Sequence, residues 1–165
     1  MDNDIFLLLG SNQGDRAANL AAARDAIGEA IGTIVKRSSV YRTAAWGTMQ
    51  QPDFYNQVLE VSSSLAPEKL LTDILAIEKQ LGRVRKERWG PRLIDIDLLL
   101  YGSRVIDTPA LTVPHPGIPF RRFTLVPLAQ IVPTLMHPVL NKSMAQLLQE
   151  CQDPLIVELC PKEDA

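Results

Sequence analysis

Apolar and polar positions along the chain follow two different periods. Residues 5–9 form a continuous apolar run closed by Gly10-Ser11-Asn12, the pattern of a buried strand entering a loop. After Asp15, a residue suited to an N-cap, Leu20, Ala23, Ile27 and Ile31 recur at helical spacing and stop at Gly32. Residues 33–43 and 54–63 are rich in β-branched and aromatic side chains, and read as two strands joined by a long, turn-rich loop. A second helix opens at Pro67, carries Leu70, Leu71, Ile74, Ile77 and Leu81, and ends at Gly82. Residues 93–101 are the clearest strand, followed by a Gly102-Ser103 turn and a partner strand around Val105. Proline-rich loops and a short helix near 125–131 come next. A helix opened by Ser143, with Gln146 as its capping-box partner, precedes an edge strand or tail from Leu155.

The order strand, helix, strand, strand, helix, strand predicts an α+β fold. Its core is a ferredoxin-like βαββαβ unit, an antiparallel sheet with helices on one face and long loops that carry function. At 165 residues the chain reads as a single domain over 1–165, large enough for a self-sufficient core.

Composition narrows the classes. With 46% apolar and 22% charged residues the chain is an ordinary globular protein, which excludes disorder. No stretch is long enough to span a bilayer and no secretory signal is evident, so the reading is cytoplasmic with no membrane partner. A net charge of −2 leaves no global basic field for nucleic acid. Cys151 and Cys160 form no zinc-type pair of pairs and read as free thiols.

The sharpest chemical signal is Leu93-Ile94-Asp95-Ile96-Asp97-Leu98-Leu99-Leu100. Strand alternation puts both carboxylates on one face, with α-carbons about 7 Å apart, and a hard cation such as magnesium would relieve their repulsion. A solvated outer face of an edge strand would carry the same pattern. Immediately before it, Arg83-Val84-Arg85-Lys86-Glu87-Arg88-Trp89-Gly90-Pro91-Arg92 gathers five cations around one aromatic ring, which suits phosphates and a stacked base. Together the two segments point to a magnesium nucleotide triphosphate. Glu78 falls on the apolar stripe of the second helix and needs a donor, either a ligand or an arginine of the following loop. Thr112-Val113-Pro114-His115-Pro116 and Arg121-Arg122-Phe123 add a histidine, cations and an aromatic, while His137 reads as structural. Phosphate-loop, dinucleotide, serine-elbow and zinc-helix motifs are absent from the sequence.

Gly10-Ser11-Asn12, Tyr41-Arg42-Thr43, Gln51-Pro52-Asp53-Phe54-Tyr55-Asn56, the 83–97 block and Val113-Pro114-His115-Pro116 together resemble the 6-hydroxymethyl-7,8-dihydropterin pyrophosphokinases. The resemblance runs from about residue 5 to about residue 133. It implies a monomer that moves the diphosphate of ATP to the pterin hydroxymethyl group, with two magnesium ions, in folate biosynthesis. By position it implies that Asp95 and Asp97 hold the metals and that Arg83 and Arg92 assist transfer. ATP contacts fall on Glu78, Arg85, Trp89, Leu98, Thr112, His115 and Arg121. Pterin contacts fall on Thr43, Ala44, Trp46, Phe54, Asn56 and Phe123. The 83–92 loop is expected to close over bound ATP. Ala44, Ala45, Trp46, Leu75 and Ala110 depart from residues usual in the family. The rival readings are a ferredoxin-like RNA-binding module, disfavoured by the missing basic-aromatic signature and the paired aspartates, and a nucleotide or metal sensor without turnover.

Overall fold

The computed structural model describes residues 2–44, 52–82 and 93–161. Asn3–Ser11 (β1) runs through the middle of the sheet, antiparallel to Phe54–Ser63 (β4) on one side and to Asp95–Tyr101 (β5) on the other. Thr33–Arg37 (β2) and Tyr41–Thr43 (β3) both pair antiparallel with β4, at its two ends. Val157–Leu159 (β8) extends the sheet on the far side of β3. The six strands run in the order β5-β1-β4-β3-β8, with β2 also on β4. If β2 and β3 are taken as one interrupted strand, this is the expected βαββαβ sheet.

The interruption corrects the expectation of one strand over 33–43. Ser38 turns inward between the two pieces: its N–H donates to Val58 O at 2.9 Å, and its Oγ accepts from Val58 N at 2.9 Å. The Gln57 amide donates to the Ser38 carbonyl at 2.7 Å. A serine that bonds a neighbouring backbone competes with the ladder and breaks it.

Arg16–Ala30 (α1) starts where Asp15 accepts from Ala18 N at 3.1 Å, and Pro67–Gln80 (α2) starts on its proline. Leu20, Ala23 and Ile27 of α1 and Leu70, Ile74 and Ile77 of α2 cover one face of the sheet, on Ile5, Leu7, Leu9, Leu59, Val61, Ile96 and Leu98. The expectation of helices on one face only is corrected by the remaining helices. Arg122–Ile131 (α3) and Met144–Glu150 (α4) place Leu125, Leu128, Met144 and Leu147 on the opposite face, against Phe6, Leu8, Val58, Leu99 and Leu100. The continuous apolar run of β1 is the signature of a strand covered on both sides.

Two further details position the site. The register shifts between Phe6, paired with Leu100, and Leu7, paired with Leu98, so Leu99 is an extra residue. This bulge turns both Leu99 and Leu100 to the α3 face and returns Tyr101 to the other, where its hydroxyl donates to Leu65 O at 2.6 Å. The turn after β5 does not lead to a partner strand at Val105, which is 59% exposed. Instead Ile106–Asp107 (β6) pairs with Thr112–Val113 (β7) in a separate two-stranded ribbon.

Candidate active site

The strand registers assemble a row of side chains on the α3 face. Asp95 lies opposite Gly10, Gly10 opposite Asn56, and Asn56 opposite Tyr41, across four strands. Asp97 lies opposite Leu8, in the next row toward the α3 core. Alternation puts Asp95 and Asp97 on one face and Ile94, Ile96 and Leu98 in the α1 and α2 core on the other. The sequence expectation for the two carboxylates is therefore met. Among the described residues no group of three or more His, Cys, Asp or Glu side chains converges as a metal cage. A pair of carboxylates alone suits magnesium, which keeps positions for water and for substrate phosphates.

Asn56 is 4% exposed, and its amide is fixed from both ends. Its Oδ1 accepts from Thr43 Oγ1 at 3.0 Å, and its Nδ2 donates to Leu9 O at 3.3 Å. Among the described residues one lone pair and one N–H remain, the complement of a cyclic amide edge. Gly10 makes room for this: a Cβ there would sit 2.9 Å from Asn56 Nδ2 and 3.6 Å from the Phe54 ring. Gly10 was visible in the sequence only as part of a loop motif. Its role becomes legible once the strand pairing places it beneath Asn56. Phe54 is half-buried beside it, and the preceding two residues are tied down by Asn12, whose Nδ2 donates to Pro52 O at 3.3 Å, and by Arg16. The Arg16 guanidinium donates to Asp53 O at 2.7 Å and stacks 4.0 Å from the centre of the Tyr55 ring. Neither Asn12 nor Arg16 was singled out for this anchoring by spacing alone.

The second wall comes from the loop before α3. His115 follows the cis Val113–Pro114 peptide, and its N–H donates to Leu99 O at 2.8 Å. Its Nδ1 accepts from Gly117 N at 2.9 Å, so Nε2 is the nitrogen left to carry a proton in the neutral ring. Burial pushes the His115 pKa down, the Arg121 charge pushes it the same way, and Asp97 opposes both. His115, Arg121 and Asp97 are thus electrostatic neighbours. Arg121 runs across Gly117, where a Cβ would meet its guanidinium at 2.9 Å, and lies 5.7 Å from the centre of the Phe123 ring. Thr112 is exposed on β7 three residues before His115.

Glu78 finds one donor on the sheet itself. Its carboxylate is 5% exposed and accepts from Ile96 N at 2.8 Å, on the outer edge of β5. Leu98 has its side chain buried on the α1 and α2 face, so a nucleotide could reach only its backbone, along that same edge. Thr43 is buried through its bond to Asn56, and Ala44 is exposed. Trp46, Arg83, Arg85, Trp89 and Arg92, with the expected closing loop, lie outside the described residues. His137 is structural as expected, its Nδ1 accepting from Val139 N and Leu140 N at 3.2 and 3.1 Å. Cys151 and Cys160 are free thiols.

A family model for 7,8-dihydro-6-hydroxymethylpterin-pyrophosphokinase matches residues 6–133, and so spans both walls of this site. The chain belongs to that family. A 2-amino-4-hydroxy-6-hydroxymethyldihydropteridine pyrophosphokinase of Aquifex aeolicus is 42% identical, over 88% of this chain and 91% of the relative. A protein of the same name from Synechocystis is 40% identical, over 93% of this chain and 78% of the relative. Among solved structures, a Plasmodium falciparum HPPK-DHPS is similar with a TM-score of 0.77 at 16% identity, over 91% of this chain. The chain spans 45% of that longer protein, and the likeness speaks for the fold alone. Family membership makes the chain a pyrophosphokinase of folate biosynthesis, an enzyme that transfers a diphosphate to the hydroxymethyldihydropterin.

Proposed function

We propose that the chain acts as one domain, a cytoplasmic monomer, that moves the terminal diphosphate of ATP onto the hydroxymethyl oxygen of 6-hydroxymethyl-7,8-dihydropterin and releases AMP. The observation that carries the site is the register. It sets Asp95, Gly10 and Asn56 in one row with Asp97 in the next, on the part of the sheet that α3 and α4 do not fill with apolar side chains, and His115 and Arg121 approach Asp97 from the loop before α3. The free donor and acceptor of Asn56 read the amide-like edge of the pterin, and Phe54 and Phe123 hold its rings. Thr43 and Ala44 border the same edge, and Trp46 is assigned to the pterin by the family resemblance alone.

The hydroxymethyl oxygen bonds to the β-phosphorus as the bond from that phosphorus to the α,β-bridging oxygen breaks. AMP carries away the electron pair and the hydroxyl proton is released. Asp95 and Asp97 would hold magnesium, two ions in the full reading, which supplies neutralisation of phosphate charge when bound with ATP. Arg121 answers the charge on the phosphates, and His115, neutral near pH 7 because burial disfavours its cation, donates from Nε2 to an anionic oxygen without adding charge. Glu78 and the Leu98 backbone lie along the outer edge of β5, where the nucleotide base is read, with Thr112 nearby. Arg83, Arg85, Trp89 and Arg92 complete the phosphate and base contacts, with Arg83 and Arg92 assisting transfer.

Chromatography of the nucleotides formed with magnesium and ATP, with and without 6-hydroxymethyl-7,8-dihydropterin, tests the proposal. AMP that appears only with the pterin supports it. ADP in place of AMP, or no turnover, overturns it.

A further inference from the structure

Helix α3 begins at the site, and the residues on either side of its first N–H, Arg121 and Phe123, are those that face the proposed nucleotide and pterin. Arg121 occupies the cap position, but its own side chain caps nothing. The first turn of a helix leaves unpaired N–H groups that need an acceptor. The acceptor here comes from 31 residues downstream. Asp153 Oδ2 accepts from Arg122 N at 3.0 Å, and the Asp153 carbonyl accepts from Arg122 Nε at 3.2 Å. The other carboxylate oxygen, Oδ1, accepts from Leu155 N at 3.0 Å, which turns the chain toward β8. Asp153 is 7% exposed, and its anion is answered by the Arg122 and Leu155 N–H groups and by the positive end of α3, with the Arg122 guanidinium held against the Asp153 carbonyl. Four residues on, β8 pairs with β3, setting Val157 against Thr43 and Leu159 against Tyr41. One short C-terminal segment therefore ties the helix that carries Arg121 and Phe123 to the strand that carries Thr43, the partner of Asn56.

We infer that Asp153 is a positioning residue of the enzyme: by capping α3 from the C-terminal segment it fixes the direction of Arg121 and Phe123, and so sets affinity for both substrates. The inference rests on the reading of the site given above. Asp153 touches neither substrate, so its loss acts through the first turn of α3. A freed first turn lets Arg121 leave the groove over Gly117 and lets the Phe123 ring swing, while Asp95 and Asp97 on β5 stay in place.

The test is titration calorimetry on the full chain, with magnesium and α,β-methylene-ATP and separately with 6-hydroxymethylpterin, alongside steady-state kinetics. Asp153→Ala is expected to weaken both ligands about tenfold, the scale of a lost helix cap, with both KM values rising while kcat changes less. Asp153→Asn, which keeps one carbonyl acceptor, is expected to fall between. In a Phe123→Ala background, Asp153→Ala should cost no further pterin affinity, because the ring it positions is gone. A merely structural role would lower the melting temperature and the active fraction and leave both affinities unchanged, which would overturn the inference. Additive losses in the double variant would overturn it as well. If Asp153→Ala does not fold, the Asp153→Asn variant and its cycle with Phe123→Ala give the decision. Should Arg121→Ala and Phe123→Ala both leave the affinities unchanged, the reading of the site and this inference fall together. Should they weaken binding while Asp153→Ala does not, the brace alone is overturned.

Discussion

The two faces of the sheet are built from the same strands and serve different ends. On the α1 and α2 face, Ile5, Leu7 and Leu9 of β1 and Ile96 and Leu98 of β5 meet helix side chains along the whole length. On the α3 and α4 face, β1 supplies Phe6 and Leu8 to a second core and then Gly10, and β5 supplies Leu99 and Leu100 to that core and then Asp97 and Asp95. One face is closed and apolar. The other is closed at one end and polar at the other, and the polar end carries the proposed site. A rigid pleat pinned from behind lets a handful of polar groups keep their geometry without a core of their own.

This division predicts separable failures. The largest effect on stability belongs to the closed face: Leu59→Ala, at a fully buried position, should cost about 2–5 kcal/mol in urea unfolding, with transfer per folded molecule retained. Loss of turnover in the folded fraction would break the division. On the open end, Gly10→Ala drives a Cβ to 2.9 Å from Asn56 Nδ2 and should lower kcat/KM for the pterin roughly ten- to a hundredfold, in line with small misplacements at a reacting centre. An unchanged kcat/KM would remove Asn56 from the site.

The smallest expected effect is on the pH dependence of stability, and it sharpens the comparison because the two histidines sit in different surroundings. Burial lowers the folded pKa of His137 and of His115 below the ordinary 6.5. Above 6.5 both are neutral whether folded or not, and their contribution to stability is fully present. As pH falls below 6.5 the unfolded chain takes up protons first, so stability declines toward the lowered folded values. Urea midpoints at pH 7.5 and 5.5 should therefore differ, and His137→Asn should reduce the difference without abolishing it, since His115 remains. An equal drop in the variant would place the proton uptake elsewhere.

Much of this was legible in the sequence because period and punctuation were strong. Asp15, Gly32, Pro67 and Gly82 bracket both large helices where the structure has them, and the alternation through Asp95 and Asp97 gave the carboxylate face directly. The misreadings have physical causes. Leu98-Leu99-Leu100 is apolar throughout, so the bulge that re-aims Tyr101 leaves no trace in a period of two. The break at Ser38 depends on bonds to Val58 and Gln57 from another strand, which local propensity does not contain. The second helical layer is foreshadowed by the unbroken apolar run of β1, whose residues enter both cores. Asp153 had no mark at all, because its partner lies 31 residues back.

The central claim is that the polar end of the α3 face performs the transfer and that Asp97 anchors it. Replacing Asp97 by Asn keeps the shape and removes the charge, and the decisive measurement is pterin-dependent AMP formation by that variant beside its urea midpoint. The expected rate is lower by about 10²–10³ with a midpoint close to the parent protein, as for loss of a preorganised charge at a phosphoryl group. A near-normal rate from a folded Asp97→Asn protein would contradict the claim.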